Sequence, residues 1–172
     1  MGGAWHLTRR FFGALRPGGP PSADLAWVGE VLSAAEFALW KRQCGPDRRH
    51  TAQVARAVQR RMGNEATSPV LAAALLHDIG KIDADLGTWG RVVATLSAKV
   101  AGRNTARLWI KSSGFTRRVG LYLHHPEIGA DMLAMAESDP LTIAWAAEHH
   151  LPSDEWTVDP EIAAVLHEVD DD

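Results

Sequence analysis

Seven residues of this chain, His50, His77, Asp78, His125, His149, His150 and Asp170, are imidazoles and carboxylates, the groups that bind divalent transition metals when thiolates are absent. His77 and Asp78 are adjacent and follow an apolar run, Val-Leu-Ala-Ala-Ala-Leu-Leu, over residues 70–76. The run is apolar on every side, so it reads as a buried helix. Ser68 is its expected N-cap, Pro69 its first helical residue and Gly80 its stop. Burying an imidazole and a carboxylate without a partner is costly, and a metal ion removes that cost. Each residue has an ordinary explanation taken singly: a helix-end histidine is a polar cap, and the final Asp170, Asp171 and Asp172 are a solvated tail. Taken together they fall at the ends of several helices. Helix ends on one side of a bundle converge, and neutral imidazoles and carboxylates gathered there make a divalent-metal site. The single cysteine, Cys44, leaves no thiolate set for structural zinc, and mixed N/O donors with open positions suit catalysis.

The elements that must position these residues are nearly all helical. Leu25, Val28 and Leu32 follow a start at residues 22–24, and Ser33 with Glu36 forms a capping box for the next helix, which carries Phe37 and Trp40. Gly45 and Pro46 end that helix, and Asp47 caps one bearing His50, Val54, Val58 and Met62. Residues 89–100 and 104–112 read as further helices. Three X-Pro steps, His125 with Pro126, Asp139 with Pro140 and Asp159 with Pro160, read as helix starts. His149 and His150 close the helix that begins at Pro140. Asp170 extends the stripe of Ala163 and Leu166 towards the core, whereas Asp171 and Asp172 do not. No alternation of period two and no internal repeat is found.

The 172 residues, 46% hydrophobic, suit one soluble globular domain with a sizeable core. Residues 1–21 form a short basic amphipathic segment, with Leu7, Phe11 and Leu15 in line, and a Pro/Gly linker; residues 22–172 form the domain. No run is long enough to span a membrane or to serve as a secretory signal, so a cytoplasmic protein is expected. The net charge of -3 is unevenly spread. Residues 86–126 hold seven bases and no acid, and residues 127–172 hold thirteen acids and no Lys or Arg. The basic stretch either meets an anionic ligand or pairs with the acidic one. Nucleic acid is not an expected partner, given the negative charge and the lack of a recognised module. Trp27, Trp40 and Trp145 read as core, and Trp109 beside Lys111 as a candidate for the surface.

The order His … His-Asp … His … His-His … Asp resembles the HD-domain superfamily of metal-dependent phosphohydrolases, in particular its two-metal members. So does the wording of His77, Asp78, Ile79, Gly80, Lys81; of His125, Pro126, Glu127, Ile128, Gly129, Ala130; and of Glu148, His149, His150. The resemblance covers residues 24–170. It implies an all-α, compact single-domain bundle of about seven helices. It implies one metal on His50, His77, Asp78 and Asp170, a second on His125, His149 and His150, Asp78 as bridge, and Lys81 near a substrate phosphate. After His150 the chain reads Leu-Pro-Ser-Asp-Glu-Trp, not the Gly-Tyr-Pro segment of the cyclic di-GMP phosphodiesterase branch, which argues against that substrate. Pro46 stands where some two-metal members place an extra glutamate.

The expected activity is hydrolysis of a phosphate ester or anhydride, in a small nucleotide-like or dinucleotide substrate, by metal-activated water. One or two divalent ions, of Fe, Mn, Co, Ni or Zn, are the expected cofactors. Asp78 and Lys81 are the candidate catalytic residues, and Lys81, Arg117 and Arg118 the candidate phosphate-binding cations. For Lys81 the plainer alternative is a cation meeting a helix dipole. Competing functions are a dinucleoside polyphosphate hydrolase, a di-iron oxygenase using the same ligands, and a non-catalytic nucleotide- or metal-binding signalling module.

Overall fold

The computed structural model describes residues 18–86, 90 and 108–171, and among these there is helix, turn and loop but no strand. The first helices are α1 (Ser22–Val31), α2 (Ala34–Arg42), α3 (Gly45–Met62), α4 (Ser68–Leu76) and the short α5 (Lys81–Ala84). They are followed by α6 (Gly114–Leu123), α7 (His125–Met135), α8 (Pro140–Glu148) and α9 (Pro160–Asp171). The expected all-α bundle is therefore observed. Most of the helical segments read over 89–100 and 104–112 lie outside the described residues, as does the amphipathic start.

The apolar run is the centre of the molecule. All of residues 70–76 are buried in α4, which packs between α3 and α8. A helix without a polar face has no side to give to water, so it must be covered all round. α3 supplies Ala52, Val54, Ala55 and Val58, and α8 supplies Trp145 and Ala146. α9 packs on α3 and α7 on α8, adding Ala163 and Leu166 from the one and Leu133 from the other. A second, smaller cluster joins Ala84, at the end of α5, and Leu86 after it to Val119 and Leu121 of α6.

Local signals account for most boundaries. Ser33 Oγ accepts from Glu36 N–H at 3.2 Å while Ser33 N–H donates to Glu36 Oε2 at 2.9 Å, the reciprocal capping box. Asp139 Oδ1 accepts from Leu141 N–H at 2.9 Å, and Asp159 Oδ1 from Glu161 N–H at 2.9 Å. Two caps are displaced from their expected places. Thr67, not Ser68, is the N-cap residue of α4, and its side chain makes no capping bond. Cys44, not Asp47, precedes α3, leaving Asp47 inside the first turn, where its charge still meets the helix dipole favourably. In both cases proline occupies the first turn, where its missing N–H costs nothing and its fixed φ suits a helix.

Gly80 is not a left-handed helix stop. Its φ is -63°, and the turn after α4 continues into α5, which ends at Asp85 with φ 44°. What Gly80 provides is room: a Cβ there would lie 2.1 Å from the carbonyl oxygen of His125 and 2.7 Å from the amide nitrogen of Gly129. α7 thus crosses the end of α4 at backbone contact. Trp40 and Trp145 are buried as expected, Trp27 lies under the Arg56 guanidinium at 3.7 Å, and Trp109 packs half-buried on the smaller cluster. No helix among the described residues is long and apolar enough to cross a membrane.

Candidate metal centre

Three histidines are aimed by one device. The last carbonyls of a helix have no intrahelical donor, and each ring takes one of them. His77, just past α4, bonds through Nδ1 to the Ala74 carbonyl at 3.0 Å. His149, just past α8, does the same with Ala146 at 3.0 Å, and His125, after α6, with Tyr122 at 2.7 Å. A carbonyl can only accept, so Nδ1 carries the proton and donates. In the neutral ring the free lone pair is then on Nε2, the ligand atom of a metal site whose other nitrogen is held by the protein.

All three Nε2 atoms converge on Asp78. His125 Nε2 lies 3.2 Å and His149 Nε2 3.6 Å from Asp78 Oδ1, and His77 Nε2 lies 3.4 Å from Oδ2. The three nitrogens and Asp78 Oδ1 are buried and have no hydrogen-bond partner. The His125 and His149 nitrogens and Asp78 Oδ1 are acceptors facing acceptors, which repel in a dry place, and buried polar atoms are normally satisfied. A cation between them satisfies every one, so the donor set fits a divalent metal. Two groups of donor atoms lie within 4.8 Å of one another, Asp78 with His125, His149 and His150, and Asp78 with His50 and His77. Asp170, from the last turn of α9, closes the second group: its Oδ1 is 2.9 Å from His50 Nε2 and 3.7 Å from His77 Nε2. All seven residues expected as ligands therefore meet, with Asp78 shared.

Lys81 joins them, its Nζ donating to Asp78 Oδ2 at 2.5 Å. Burial works against the charge on Asp78, but the Lys81 ammonium and His77 hold its carboxyl well below the usual range. Burial also opposes the charge on His77, yet Asp78 and Asp170 override it and raise the imidazole to about 9. His150 is brought down to about 3 by burial and by His149 and His125, and burial lowers His125 as well. The metal-free centre thus balances two ionised carboxylates with Lys81 and a protonated His77. A metal ion held by His77 would take the place of its proton.

The two arginines stand elsewhere. Arg118 donates to the Ala84 carbonyl at 3.1 Å and pairs with Asp85 at 3.2 Å, tying α6 to the end of α5. Arg117 is exposed on α6. His167 meets Trp156 with its ring tilted by 44° and approaches Asp171 at 3.5 Å. The sequence reading missed Glu148. It is buried and accepts from Thr157 N–H at 2.7 Å and Thr157 Oγ1 at 2.5 Å. That fastens the segment leading into α9, which carries Asp170, to the residue before His149. An acid ending an apolar helix was the only signal for it.

A helical bundle whose helix ends bring four imidazoles besides His50 and two carboxylates to one point has a donor set that could hold a metal ion. The HD domain model matches residues 48–171, a span that begins two residues before His50 and includes Asp170, and the chain belongs to the HD domain family. Membership places it in a superfamily of metal-dependent hydrolases. No curated protein and no solved structure matches the chain.

Proposed function

We propose that this chain is a phosphohydrolase that cleaves a phosphate ester or anhydride in a small nucleotide-like or dinucleotide substrate. The observation that carries the reading is the set of four buried polar atoms, His77, His125 and His149 Nε2 with Asp78 Oδ1, left without hydrogen-bond partners at one point. His50, His77, Asp78 and Asp170 would hold one divalent ion, and Asp78, His125, His149 and His150 a second. Such a pair, when bound, makes hydroxide available near neutral pH and offsets charge on phosphate oxygens. Asp78 stays ionised over the physiological range and presents one oxygen to each group, which suits it to orient an attacking water. Lys81, beside Asp78, is the cation within reach of a phosphate held there. His150 is the least buried member of the cluster, so the substrate enters on its side while the buried rings exclude water.

Metal analysis after reconstitution should give one or two equivalents of Fe, Mn, Co, Ni or Zn per chain. The protein should then release nitrophenol from a generic phosphodiester, and Asp78→Ala should abolish the release. Phosphate release across a nucleotide and dinucleotide panel identifies the substrate. Failure to bind any metal removes the reading, and oxygen uptake without phosphate release replaces hydrolysis with oxidation.

A further inference from the structure

The two oxygens of Asp78 are in different states. Oδ1 has no partner and faces two partnerless nitrogens, those of His125 and His149. An ion arriving there satisfies three buried atoms and breaks no existing bond. Oδ2 is held by the Lys81 ammonium at 2.5 Å. Two other donors on that side are also engaged, because His50 Nε2 and Asp170 Oδ1 bond each other at 2.9 Å. Only His77 Nε2 is unsatisfied in that group. An ion arriving there must displace an ammonium from a carboxylate and open a second hydrogen bond.

We infer that Lys81 is a resident cation in the His50 half of the centre, so that the two metal positions fill in order. The set of Asp78 Oδ1, His125, His149 and His150 loads first, and the set of His50, His77, Asp78 Oδ2 and Asp170 loads second, when Lys81 leaves Oδ2. The inference rests on the reading of the cluster as a two-metal centre and adds a role for Lys81 within it. An ion on Oδ1 draws charge from the same carboxylate that binds Lys81 and brings a like charge close to the ammonium. The first ion therefore loosens the obstacle to the second. The displaced ammonium is left beside the centre, with its charge uncompensated, where a phosphate group would meet it.

Calorimetric titration of chelator-treated protein with Mn(II) tests the order, because it reads binding and not turnover. Wild type should show two steps separated by at least about tenfold in affinity, since removing one partner from a buried ion pair is costly. His149→Ala should lose the tighter step and leave a single step no tighter than the weaker one, and His50→Ala should lose the weaker step and keep the tighter one. Lys81→Met should narrow the gap between the steps, while Lys81→Arg, which keeps the cation, should preserve it. If Lys81→Met does not fold, as judged by circular dichroism, the wild-type and histidine titrations still decide the order. Loss of the tighter step in His50→Ala, an unchanged gap in Lys81→Met, or two indistinguishable steps in wild type overturns the ordered loading alone. Absence of Mn(II) binding in every form overturns the metal-centre reading with it.

Discussion

Substituting Gly80 by alanine should separate the two halves of the centre without touching a ligand. The glycine has an ordinary helical φ of -63°, so alanine meets no backbone strain there and gains about 0.5–1 kcal/mol from reduced freedom of the unfolded chain. Its Cβ, however, would sit 2.1 Å from the His125 carbonyl oxygen and 2.9 Å from the carbonyl carbon. Both are backbone atoms of the first turn of α7, which must retreat by roughly 1 Å to restore van der Waals distance. Overpacking of this kind costs about 1–3 kcal/mol. The net loss is then up to about 2.5 kcal/mol, or a Tm lower by up to about 10 °C in a chain of this size. His125 moves with its backbone, and a metal site tolerates shifts of only about 0.2 Å. Affinity for Mn(II) should fall about 10–100-fold, as when a ligand's support is removed. Gly63→Ala is the control: Gly63 has φ 56° and ψ -120° and open space around a Cβ, so alanine there costs about 1–3 kcal/mol of backbone strain with no effect on metal. Thermal melts and Mn(II) titrations of both variants are compared with wild type. Retention of wild-type affinity in Gly80→Ala, or equal loss in both, would refute the argument that this close crossing sets the ligand geometry.

Asp78→Asn should abolish metal binding and also destabilise the metal-free protein by about 3 kcal/mol, because Lys81 is left as a buried cation without its carboxylate; urea denaturation in chelator reads this, and unchanged stability would count against the pair. His77 is raised from 6.5 to about 9 in the folded protein because Asp78 and Asp170 outweigh the opposing effect of burial. Its contribution to stability is therefore complete below pH 6.5 and is lost as pH rises through 9. Melting temperatures of chelator-treated protein should decline over that window, and His77→Gln should flatten the decline. With metal present the dependence reverses for binding, since the proton on His77 competes with the ion, and affinity should rise with pH. Glu148→Ala removes the acceptor for Thr157 N–H and Thr157 Oγ1 and should cost about 1–3 kcal/mol by thermal melt; a loss below about 0.5 kcal/mol would mean that the segment before α9 does not depend on it.

The site and the helices were legible for the same reason: their signals are local. A capping box, an aspartate before a proline and an apolar run of seven residues declare themselves within one turn. The residue types of the centre, drawn from five separate stretches, are those of a possible metal site before any fold is known. What was not legible depends on distant approach. Gly80 reads as a stop because glycine commonly ends helices, and only the arrival of His125 and Gly129 reveals that the missing Cβ is what matters. Glu148 looks like any acid at a helix end until Thr157 folds back onto it. Arg118 was placed near phosphate because it precedes His125 in the chain, whereas its guanidinium is turned to Ala84 and Asp85. The caps of α3 and α4 slipped by a few residues because proline allows a helix to begin ahead of it.

The partnerless atoms of the centre weaken the fold, since each buried acceptor without a donor costs about 1–3 kcal/mol. They persist because His77 and Asp78 continue directly from α4, whose apolar residues are covered on every side. A helix packed in that way cannot fray at its end, so the two side chains cannot turn to water. His149 is held in the same manner at the end of α8, behind the buried Trp145 and Ala146. His50 and Asp170, by contrast, lie half-buried at a helix start and a helix end, and they bond each other. The unmet need falls on atoms fixed to the core, Asp78 Oδ1 and the His77, His125 and His149 nitrogens, whereas His50 and Asp170 have relaxed into a pair. That division is what a stepwise centre requires: a rigid half that binds the first ion as it stands, and a half that must open to bind the next.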